Sequence, residues 1–140
     1  LQSYNIFDIR NTFEYFMHLC KTYHKRLNFH VDMVYPIGRA TDICWLPKDI
    51  LQQARDDLRG IDKNISFDNT VFLNIEKAVN YIDHCIDQQI DPQKQSEMLN
   101  RSLIETKQFD INRNQHYRDF LPDPLVEIYN NLEELHVRTT

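Results

Sequence analysis

Asp110, Arg113 and Asn114 stand at i, i+3 and i+4 in the run FDINRNQHYRDFLPD, residues 109 to 123, inside an aromatic frame of Phe109, Tyr117 and Phe120. On a helix, a carboxylate, a guanidinium and an amide at that spacing either satisfy one another locally or hold a polar ligand between them. Other residues with chemical capacity are scattered. His30 and Asp32 share one face of a strand-like run, and Glu14 and His18 are one helical turn apart. Two candidate ligands make no metal site, and the ordinary roles are a polar strand face and a surface helix pair. Cys20 and Cys85 fall on apolar sides of helical patterns, where a thiol behaves as a small hydrophobe. Cys44 lies in a loop beside Trp45, with no activating base at a diagnostic spacing. The only glycines are Gly38 and Gly60, so a glycine-rich phosphate loop is absent, as are CxxC and HExxH.

Composition limits what these residues can serve. With 140 residues, 41% hydrophobic and 26% charged, the chain suits one soluble domain with a real core. Its formal net charge is -5 with both signs interspersed, and without a basic stripe no nucleic-acid partner is expected. No apolar run is long enough to span a bilayer, so no membrane partner is expected, and the expected location is the cytoplasm. Three widely separated cysteines fit reduced thiols better than a disulfide framework.

The elements that must position the polar group follow from periodicity. Residues 1 to 7 suit a strand, and from Asp8 the pattern Ile9, Phe13, Phe16, Met17, Cys20 and Tyr23 is helical. LNFHVDMV at 27 to 34 alternates, so the first 35 residues read as a βαβ unit. Parallel strands need neighbours that the rest of the chain does not offer, so the missing strands are expected before Leu1 and the chain reads as a fragment. Pro47 opens a helix carrying Ile50, Leu51, Ala54 and Leu58, which Gly60 ends. A second helix, about 69 to 88, carries Val71, Ile75, Val79, Ile82 and Ile86. Asp91 and Pro92 start a third long helix, and a short one spans roughly 124 to 135.

If the third helix runs on from Leu99, then Leu99, Leu103, Tyr117 and Leu121 share one side, flanked by Phe109 and Phe120. Thr106, Asp110, Arg113 and Asn114 fall in the same arc. The polar group is then expected to point inward, either as a structural network or as a contact to substrate or cofactor, unless the helix breaks near Asp110. The same arc turns Arg118 outward and predicts that Arg113→Ala destabilises more than Arg118→Ala.

The run from SYNIFDI through VDMVYPIGRATDICWLPKDI to FDINRNQHYRDFLPD resembles the C-terminal part of twitch-domain radical S-adenosylmethionine proteins. The likeness implies an α/β fold. Residues 1–35 would be the last β/α/β units of a partial parallel (β/α) barrel, and residues 36–140 a mainly α-helical C-terminal extension packing on it. It also implies an upstream CxxxCxxC loop holding a [4Fe-4S] cluster, with S-adenosylmethionine as cofactor of the intact parent and neither bound by this fragment alone. The implied reaction is reductive cleavage of S-adenosylmethionine and hydrogen abstraction from an unknown substrate, peptide or small molecule. By position it nominates Asn5, Phe7, Val34 and Tyr35 as cofactor contacts; the family's Asn after the first strand is Asp8 here. The missing N-terminal part of the same barrel would be a partner. The competing reading is a small, mainly helical protein-interaction module without catalytic activity, beginning with a βαβ unit.

Overall fold

The computed structural model describes residues 6–23, 39–62 and 69–139. These are helical, with no strand and no sheet among them. In order they are α1 (Ile9–Tyr23), α2 (Lys48–Arg59), α3 (Asn69–Asp87), α4 (Pro92–Arg113) and α5 (Asp123–Thr139). Short 3-10 turns, Ile6–Asp8, Ile43–Trp45 and Tyr117–Asp119, precede α1, α2 and α5.

The expected α/β fold, a partial parallel barrel contributing one βαβ unit, is therefore overturned. Its first strand fails at Ile6 and Phe7, which form a 3-10 turn leading straight into α1. The reason lies in the side-chain spacing. Ile6, Ile9, Phe13, Met17 and Cys20 are all buried and step by three and four, so the helical stripe starts three residues earlier than Ile9. Asp8 helps start the helix, accepting from Asn11 Nδ2 at 2.6 Å through its carboxylate and from the Thr12 hydroxyl at 3.0 Å through its carbonyl. The alternating run at 27 to 34 lies outside the described residues.

The face of α1 that a sheet would have covered meets helices. Ile6, Phe13 and Met17 share one core with Ile43, Trp45, Leu46, Leu51, Leu58, Ala78 and Ile82. Truncating a buried leucine such as Leu51 or Leu58 to alanine costs about 2–5 kcal/mol in such a core. Two arginines of α2 clamp it to α3, with Arg55 Nη1 3.2 Å and Arg59 Nη2 2.8 Å from the Asp83 carboxylate.

Helix boundaries largely follow the capping residues. Pro47 precedes α2, Gly60 follows it, and the Gly60 N–H donates to the Asp56 carbonyl at 3.0 Å. Asp91 caps α4, accepting from the Lys94 N–H at 3.1 Å, with Pro92 in the first turn. The exception is the far end of α4. The helix stops at Arg113, and Asn114 takes a left-handed conformation with φ of 52°.

Candidate functional site

The stop at Asn114 rearranges the polar group around Asp110. Asp110 is half-buried and its Oδ2 accepts the Tyr117 N–H at 2.6 Å, while the Gln115 N–H bonds to its carbonyl at 3.0 Å. The chain turns back, and it is Tyr117 that enters the core, edge-on to Tyr129 with ring centroids 5.6 Å apart. The expectation that Asp110, Arg113 and Asn114 all point inward is corrected by this turn. Arg113 and Asn114 are exposed, as are Phe109 and Phe120. Beyond Leu103 no residue of α4 is fully buried. The Arg113 guanidinium stacks over Phe109 at 5.7 Å from the ring centroid.

Arg118, expected to be the idle one, carries the tertiary contacts. Its Nε donates to Asn130 Oδ1 at 2.9 Å and its Nη2 lies 2.9 Å from Glu133 Oε2. The Tyr117 hydroxyl donates to Asn130 Oδ1 at 3.0 Å, and Lys107 pairs with the other Glu133 oxygen. The hydrogen bond and charge of Lys107 hold the Glu133 carboxyl below its ordinary range, and burial pushes the Tyr117 phenol up. This network ties α4, the turn and α5 together. Beside it, the Ser102 and Tyr129 hydroxyls share a buried hydrogen bond of 2.7 Å.

A second polar centre lies around Asp42, where sequence reasoning placed no site. Asp42 is fully buried; its Oδ1 accepts from the Tyr81 hydroxyl at 2.8 Å and from the Cys44 N–H at 3.1 Å. Cys44 and Cys85 lie beside it. Burial, and after it the Asp42 charge, pushes the Cys85 thiol up to about 12 and raises that of Cys44 as well. Burial and the bond to Asp42 raise the Tyr81 phenol. All three therefore stay protonated at neutral pH, which suits a structural network rather than a nucleophile. Capping is the one local signal for Asp42, an acid immediately before the apolar Ile43, Cys44 and Trp45. Nothing local points from it to Tyr81.

Of the remaining sequence candidates, those among the described residues do not converge. Phe7 sits partly buried against the core in its 3-10 turn, whereas Asn5, Val34 and Tyr35 lie outside the described residues, as do His30 and Asp32. Glu14 pairs with Arg10 at 2.9 Å, not with His18. Cys20, Cys44 and Cys85 are buried free thiols, and no group of three metal-ligating side chains occurs among the described residues. Their spacing and burial do not fit the ligand set of an iron-sulfur cluster. Among the described residues, no helix is long and apolar enough to cross a membrane.

A scan of protein-family models, a search of curated proteins and a search of solved structures each found no match to this chain.

Proposed function

We propose that this chain is a small, mainly helical protein-interaction module without catalytic activity, which engages its partner through the outer face of α4. The observation that carries this reading is the placement of Ile104 and Ile111. They lie seven residues apart on one stripe of the helix, 66% and 74% exposed, about 100° to 120° round the helix from the side that Leu99 and Leu103 bury. Phe109 and Phe120 add exposed aromatic surface near the same end. Helix-in-groove recognition uses apolar anchors at such spacings. Asp42, Tyr81, Cys44 and Cys85 are, by contrast, committed to one another internally.

The test compares the chain with Ile104→Asp/Ile111→Asp for retention of proteins from a lysate, after thermal melts establish equal stability. The expected result is a protein retained by the parent and lost by the variant. Equal retention by both removes the α4 face from the proposal.

A radical S-adenosylmethionine parent is the second reading, favoured by the sequence likeness of Ser3 to Ile9, Leu46 to Ile50 and Phe109 to Leu121 to that family. It requires a CxxxCxxC motif encoded in the same frame upstream of Leu1, and an upstream frame without one sinks it.

A further inference from the structure

A cavity of about 240 Å3 lies between α2, α3 and α4, separate from the α4 outer face. Its walls are apolar at Leu46, Ile90 and Leu99 and carry the two thiols Cys44 and Cys85. Lys48 supplies a positive charge at its edge. We propose that this cavity binds a small monocarboxylate with an apolar body, its carboxylate at Lys48 and its ring or chain among the thiols and aliphatic side chains.

Three observations lead there. A dry apolar cavity of about 150 Å3 suffices for benzene, so this one has room for a substituted ring. Lys48 is exposed at the cavity's lining and, among the described residues, no carboxylate pairs with it, so its ammonium is open to an anion. Asp42, bonded to the Cys44 N–H at 3.1 Å, puts a negative charge beside both thiols and disfavours a second one there. Together these orient the ligand, with the charged head outward and the uncharged body inward. Pockets with apolar walls and few polar groups use those groups to fix orientation.

The experiment titrates the full chain with benzoate, followed by ligand-observed NMR, with toluene as the uncharged reference. Benzoate is expected to bind saturably and more tightly than toluene. Lys48→Met, an exposed change that leaves the core intact, should weaken benzoate by about two- to fivefold, the loss of one exposed ion pair. Ile90→Phe, which fills the cavity, should remove binding. If Ile90→Phe does not fold, intermolecular NOEs from the benzoate ring to the methyl groups of Leu46, Ile90 and Leu99 in the parent chain supply the second measurement. An absence of saturable benzoate binding, or saturable binding without NOEs to the Leu46, Ile90 and Leu99 methyl groups, overturns the site. Equal benzoate affinity in Lys48→Met, or tighter binding of toluene than of benzoate, overturns the carboxylate assignment.

Discussion

The hydroxyl of Tyr81, on α3, donates to Oδ1 of Asp42 at 2.8 Å across a chain separation of 39 residues. That bond anchors the segment before α2 to the middle of the core, and it satisfies a carboxylate that is entirely removed from water. A hydrogen bond to a charged group is worth about 1.5–3 kcal/mol, so Tyr81→Phe should lower stability by about that amount. Asp42→Ala, which strands both the Tyr81 hydroxyl and the Cys44 N–H, should cost at least as much. Urea unfolding measures both, and a loss below about 0.5 kcal/mol for Tyr81→Phe would show that the bond contributes little.

Alkaline pH should unfold the protein through the same centre. The Cys85 thiol ionises at 9.0 when free of its surroundings and at about 12 in the fold. Cys44 and Tyr81 shift in the same direction. A raised value means that the folded state holds its proton where the unfolded chain has lost it. Stability is then complete below about pH 9 and falls as pH rises toward about 12. Cys85→Ala should flatten the fall in thermal midpoint between pH 8 and pH 11; the same slope in parent and variant would exclude Cys85 as its source.

At the other end of the protein, Arg118→Ala should destabilise more than Arg113→Ala. Arg118 bonds Asn130 and Glu133 on α5, whereas Arg113 stacks only on the exposed Phe109. The guanidinium is half-exposed, so the difference is expected to stay within about 1 kcal/mol. Thermal midpoints of the two variants decide it, and a larger loss for Arg113→Ala would restore the inward arc.

Asn114 offers a backbone test. Its φ of 52° is a conformation that glycine adopts freely and that alanine adopts at a cost of about 1 kcal/mol or more. Asn114→Gly should be close to neutral and Asn114→Ala destabilising. If both variants melt together with the parent, the left-handed cap is not what ends α4.

Much of this architecture is local and therefore legible in the residues themselves. The start of α4 at Asp91 and Pro92, the end of α2 at Gly60 and the stripe of α3 each depend on groups within a turn or two of one another. Cys20 and Cys85 are buried, as their positions on apolar stripes imply. The beginning of α1 is ambiguous in the sequence because a short apolar run suits strand and helix equally. Ile6 commits to the helix only because it joins Ile9, Phe13 and Met17 against the core.

The arc drawn through Arg113 and Tyr117 failed for a related reason. It assumed an unbroken helix, yet asparagine tolerates the left-handed conformation, and the Asp110 carboxylate offers the Tyr117 N–H an acceptor outside the helix. By itself the sequence determined where helices can begin, which residues prefer burial and which thiols lack a base. Only the tertiary structure decided that Asp42 meets Tyr81, that Tyr117 rather than Arg113 turns inward, and that Lys48 stands at the edge of a cavity. Capping and periodicity are properties of neighbouring residues, whereas burial and pairing depend on which distant element covers a side chain.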